Sequence, residues 1–165
     1  MLHKLKFIAL IVLAAVSLNC NGSKNKAKTP KDVILNKTQT LDFKTLLSSS
    51  HTNVTEATQQ VITAQSELDA LYEIINSTKS PNDPVPTVDF TTQEVFFYTP
   101  GQVSHGVPGI EVASVTKSKD KLVVQIKGHK QDPSGYVTTV LSQPGVIIQY
   151  PKVNLPVVVK MPKEH

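Results

Sequence analysis

A single cysteine in 165 residues rules out any internal disulfide, so the core of this chain must stand without one. The position of that cysteine is as informative as its number. Cys20 closes a leader, MLHKLKFIALIVLAAVSLNC. Lys4 and Lys6 give it a basic start, Phe7 to Val16 form an uncharged apolar run, and Ser17-Leu18-Asn19 is a short exit. A basic start, a short apolar centre and a small-residue exit are the parts of a secretory signal. The run is too short for a membrane span, which needs roughly 20 residues.

A signal that ends on a cysteine resembles the lipobox of bacterial lipoproteins. That resemblance implies cleavage after Asn19, transfer of a diacylglycerol to the Cys20 thiol, and acylation of the new amino terminus with a palmitate-type chain. Ser17 and Asn19 stand where the box usually has an aliphatic and a small residue. The competing outcome is plain secretion, because Ala15 and Ser17 also satisfy signal peptidase. It would leave Cys20 as a lone thiol in an oxidising compartment, open to oxidation or to pairing with another chain. Lipidation at Cys20 is therefore the expectation. Acyl chains contribute about 0.8 kcal/mol per buried CH2, so several of them hold a chain on a membrane essentially permanently.

The charge of +4 suggests a basic protein, but its placement does not. All seventeen basic residues are lysines, and seven of them precede residue 38 together with one of the thirteen acids. The remainder has ten lysines against twelve acids. Without a basic face, and without an arginine fork for phosphates or bases, nucleic acid is not an expected partner. Residues 20–40 (CNGSKNKAKTPKDVILNKTQT) are polar and lysine-rich, and bury too little to offset the entropy of ordering. They are predicted to be a flexible tether, residues 1–19 the signal peptide, and residues 41–165 one folded domain.

Within that domain Leu41 to Ser50 suggests a strand or short turn, and Glu56 to Ala64 a strand. Ser66 to Asn76 (SELDALYEIIN) is the clear helix, with Ser66 as its cap and Glu67 and Asp69 in the first turn. Leu68, Leu71, Tyr72 and Ile75 fall at i, i+3, i+4 and i+7 and read as a core stripe. Three prolines between Thr78 and Thr87 make a stiff connection. Strands follow: Gln93 to Thr99 (QEVFFYT) as a strand buried on both faces, Ile110 to Lys117 and Lys121 to Lys127 as a hairpin about residues 118–120, then Val137 to Leu141, Val146 to Tyr150 and Leu155 to Met161. The fold class is α+β: a mostly antiparallel β-sheet with one packed α-helix.

The residues offer no convergent catalytic set. There is no Gly-X-Ser-X-Gly elbow, Ser104-His105 are neighbours in sequence without a third group, and the histidines lack metal-ligand spacing. The loop GQVSHGVPG (101–109) opens no helix and has no following Lys-Ser/Thr, so it is not a phosphate cradle. No enzyme activity, cofactor or metal is expected. Two loops suit binding: Ser104, His105, Gly106, Val107, Pro108 and Gly109, and KQDPSGY (130–136), since glycine and proline permit a tight exposed shape. Val107 could either project as an apolar tip or fold back as a small core plug.

The segment PTVDF (86–90), the strand EVFFY, Gly101, the Gly106 loop, Ile110-Glu111-Val112, KLVVQIK, Pro144 and the closing apolar strand together resemble the C-terminal domain of the protease-complex subunit PrcB family. The likeness covers about residues 43–161. Where that family has a Thr-Gly-Gly-Tyr run, this chain has His105-Gly106-Val107-Pro108. The resemblance implies a non-catalytic cell-envelope lipoprotein, held at the outer membrane by its lipid. It would serve as an accessory or assembly subunit that binds a protease or another envelope protein. The alternative it implies is a protease inhibitor acting by loop insertion.

Overall fold

The computed structural model describes residues 38–128 and 139–162. Among them the order is β1 (Gln39–Leu41), β2 (Lys44–Ser49), β3 (Thr58–Ile62), α1 (Gln65–Asn76), β4 (Gln93–Thr99), β5 (Val112–Lys117), β6 (Leu122–Ile126), β7 (Gly145–Pro151) and β8 (Val157–Lys160). The strands make two four-stranded sheets, β1-β5-β6-β8 and β2-β7-β4-β3. Every ladder is antiparallel except β6 with β8. The chain is thus mostly antiparallel β-sheet with one helix.

The alternation along β4 explains the layering. Phe96 and Tyr98 join Val146, Ile148 and Tyr150 of β7 in a core shared with Leu41, Val115, Leu122, Val124 and Ile126 of the first sheet. Val95 and Phe97 pack on the opposite side with Ile147, Val88 and the stripe of α1. The second sheet therefore lies between the first sheet and the helix. A strand covered on both faces has no solvent side to mark with polar residues, which is why β4 reads as an almost unbroken apolar run.

Helix α1 buries Leu68, Leu71, Tyr72 and Ile75, the stripe predicted from spacing. Its start differs from expectation. The N-cap is Ala64, which makes no side-chain cap, and Ser66 lies inside the helix. Glu67 instead reaches back to accept a bond from Thr63 N (2.8 Å). The donor is one residue before the N-cap, so this is not a capping box, but the bond likewise ties the incoming chain to the first helical turn. The proline connection is clipped to the helix at both ends. Gln65 Nε2 donates to Pro86 O (3.1 Å) and Gln65 Oε1 accepts from Val88 N (3.1 Å). Asn76 exchanges two bonds with the Asp83 backbone, each 2.9 Å.

Three further boundaries are corrected. Leu41 to Ser50 is divided between two strands in different sheets, and pairing begins at Gln39, two residues ahead of the expected start of the domain. The strand expected from Ile110 starts at Val112. Residues 139–141 of the strand expected over Val137 to Leu141 are not strand. Ser142 and Gln143 bond instead across to Val103 and to the Ser50–Thr52 segment, leaving Val140 and Leu141 exposed. The 5–6 hairpin is as expected, closed by Ser118 N to Lys121 O (2.9 Å). The predicted signal peptide, Cys20, the tether as far as residue 37 and the loop 130–136 lie outside the described residues. No helix among the described residues is long and apolar enough to cross a membrane.

Candidate functional site

The six residues Ser104 to Gly109 form an arc between the end of β4 and the start of β5. Its base is held firmly. Gly101 turns the chain with φ 84°, and a Cβ there would lie 2.7 Å from Thr55 O, so both conformation and space call for glycine. Gln102 N donates to Thr55 O (3.0 Å), and Val103 and Ser142 exchange backbone bonds of 2.8 and 3.0 Å. Gln143 Nε2 reaches Gln102 Oε1 (2.8 Å). At the far end a Cβ on Gly109 would overlap Ser48 Oγ and lie 2.9 Å from the Ser48 and Ser49 backbone. Ser48 Oγ also donates to Ile110 O (2.9 Å). Gly109 is thus where the loop is pressed against β2.

Between these anchors Ser104, His105, Gly106 and Pro108 are exposed, whereas Val107 and Gly109 are half-buried. Val107 faces a cleft of about 220 Å³. It is lined by His105, Val107 and Pro108, by the buried Tyr98, Ile110 and Ile126, and by Met161 and Pro162. Three of the six expected loop residues, His105, Val107 and Pro108, line this cleft, whereas Ser104, Gly106 and Gly109 do not.

The electrostatics of the cleft are quiet. Tyr98 donates its hydroxyl proton to Met161 Sδ (3.3 Å), and burial pushes its pKa up, so it stays neutral. Lys127 Nζ at the edge pairs with Glu111 Oε2 at 2.6 Å, with both side chains exposed. A second hollow of about 380 Å³ lies along α1 between Asp69, Tyr72, Glu73, Asn76 and Val85, and is more polar. There burial, then the Asp83 carboxylate, pushes Tyr72 up to about 12.

Chemically the first cleft can hold an apolar group and little else. No hydrogen bond joins Ser104 to His105 among the described residues. The contact of that kind is Ser50 Oγ with His51 Nδ1 (2.8 Å), an exposed pair of sequence neighbours. No group of three or more His, Cys, Asp or Glu side chains among the described residues could hold a metal ion. Sequence reasoning missed Tyr98, Ile126, Pro144, Met161 and Pro162 as cleft residues. All five are ordinary strand-end or turn residues, and only the folding of four separate segments to one end of the sandwich assembles them.

No family model matches the chain, and no curated protein or solved structure matches it either.

Proposed function

We propose that this chain is a non-catalytic envelope lipoprotein, anchored through Cys20, whose folded domain docks an apolar segment of a protein partner in the cleft lined by His105, Val107 and Pro108 of the Ser104–Gly109 loop. The observation that carries this reading is the cleft itself. It is apolar in its depth, backed by a rigid double sheet, and edged by exposed loop residues, the arrangement of a preformed binding site. The resemblance to the PrcB family supports a protease, or another envelope protein, as the partner. Docking is favoured over inhibition by loop insertion, since Val107 turns inward to the cleft instead of projecting.

The direction of the strands supports the same reading. Gln39 pairs with Lys117, beside the turn of the 5–6 hairpin, whereas Ile126 lies at the other end of those strands. The chain thus enters the domain at one pole and presents the cleft at the opposite one, which suits a tethered protein that reaches outward.

The test places carboxylates at the mouth of the cleft. His105→Glu with Pro108→Glu changes two exposed residues, so stability should move by less than about 0.5 kcal/mol. A partner crosslinked to the wild-type lipoprotein in its own envelope should be lost from the variant, at equal melting temperature. Equal capture by both proteins would rule the cleft out as the docking surface.

A further inference from the structure

We infer that Met161 is a peroxide-sensitive modification site that controls what the cleft can hold. The inference rests on the reading of the cleft as a docking surface. Met161 is the only methionine after Met1, and the chain has no tryptophan. It is 58% exposed and yet lines the cleft beside Pro162. Its sulfur is also held in a definite place, accepting the Tyr98 hydroxyl at 3.3 Å, while Gln125 Nε2 fixes the Met161 backbone carbonyl at 3.3 Å. An oxidant can thus reach a thioether that is part of the binding wall, a combination that neither a buried core methionine nor one on a free tail would offer.

The reaction is a two-electron oxygen transfer from a hydroperoxide. The sulfur lone pair attacks one peroxide oxygen, the S–O bond forms as the O–O bond breaks, and the proton on the transferred oxygen passes to the departing hydroxide to make water. Methionine is oxidised to the sulfoxide, and hydrogen peroxide, as the oxidant, is reduced to water. The product replaces a soft apolar group with a polar one at the cleft wall, and reductases of the methionine sulfoxide class can reverse it. The sulfoxide oxygen is a far stronger acceptor than a thioether. It would tighten the bond from Tyr98 and place a dipole where an apolar segment has to pack. Docking therefore weakens under oxidising conditions and recovers on reduction.

The experiment uses the full chain, hydrogen peroxide, and an uncharged fluorescent probe, N-phenylnaphthylamine, as a stand-in for an apolar segment. Mass mapping should find one added oxygen on the peptide containing Met161 while the protein remains folded. Probe affinity should then fall roughly tenfold, the scale of one poorly compensated polar group at an apolar site. Met161→Leu should bind the probe normally before and after treatment. As a second readout, ultraviolet titration should show an upward shift of one tyrosine on oxidation in the wild type, and no shift in Met161→Leu or Tyr98→Phe.

Complete sulfoxide formation with neither a loss of affinity nor a tyrosine shift overturns the inference. So does a folded protein whose Met161 resists peroxide that oxidises free methionine. Failure of the untreated protein to bind the probe would count against the cleft as an apolar site. In that case the tyrosine shift alone decides whether the sulfoxide engages Tyr98.

Discussion

The hydroxyl of Tyr150 is buried between the two sheets, and among the described residues it has no hydrogen-bond partner. Burial, and then the neighbouring Glu94 carboxylate, raise its pKa. Glu94 sits directly opposite it in the β4–β7 ladder and is itself buried, where it accepts from Val153 N (3.4 Å) and Asn154 N (3.3 Å). An unpaired buried hydroxyl costs about 1–3 kcal/mol, so Tyr150→Phe should leave stability unchanged or raise it by up to that amount in urea unfolding at neutral pH. A loss beyond about 1 kcal/mol would reveal a bond from the hydroxyl. The same residues set the alkaline limit. Tyr72, Tyr98 and Tyr150 all have folded pKa values above the ordinary 10.0, Tyr72 at about 12. Above pH 10 the unfolded chain gives up these protons while the folded chain keeps them. The stability they contribute is full below pH 10 and is lost as pH rises towards 12. Melting temperatures should fall over that window, and less steeply in Tyr150→Phe. At the other end of the sandwich, Gly109→Ala should cost roughly 1–3 kcal/mol by thermal melting, because the new methyl meets the Ser48 and Ser49 backbone as well as the Ser48 hydroxyl.

At the scale of the element, helix α1 is held by its buried stripe more than by its caps. It has no side-chain N-cap and no basic residue in its last turn. Asn53, in the left-handed conformation at φ 59°, donates from Nδ2 to Ile74 O (3.2 Å) and Ile75 O (3.0 Å), closing the C-terminal carbonyls from outside the helix. Four buried apolar side chains contribute roughly 1.5–3 kcal/mol each. Leu71→Ala should therefore cost about 2–5 kcal/mol in equilibrium denaturation. A loss under about 0.5 kcal/mol would place the stripe at the surface and make it a partner groove. The stripe, the two-faced β4 and the 5–6 hairpin were all legible, because each is a periodic signal within one short segment. Assignment of β1 and β2 to different sheets was not legible. Only the two residues Asp42 and Phe43 separate them, and nothing local says that the chain crosses from one layer to the other.

For the whole molecule, the proposed anchor at Cys20 and the proposed docking cleft are separable by mutation, because Gln39 and Ile126 lie at opposite ends of one sheet. Cys20→Ala should release the protein to the soluble fraction or leave it unprocessed, as read by detergent partitioning and mass. Its folded domain and the cleft, which begin downstream, should melt as in the wild type. Normal processing and full detergent partitioning of that variant would refute the lipid anchor.

The sequence by itself determined a core without disulfides, the mostly antiparallel β character with one helix, and the exposure of most of the 104–109 arc. These follow from cysteine count, local periodicity and turn chemistry, which act over a few residues. The sandwich pairing was decided only by tertiary structure. So were the parallel step from β6 to β8, the inward turn of Val107 and the meeting of Tyr98 with Met161. Each depends on contacts between segments far apart in the chain. The energy of such contacts is set by which faces are left uncovered once the elements have formed, and no short window of sequence records that.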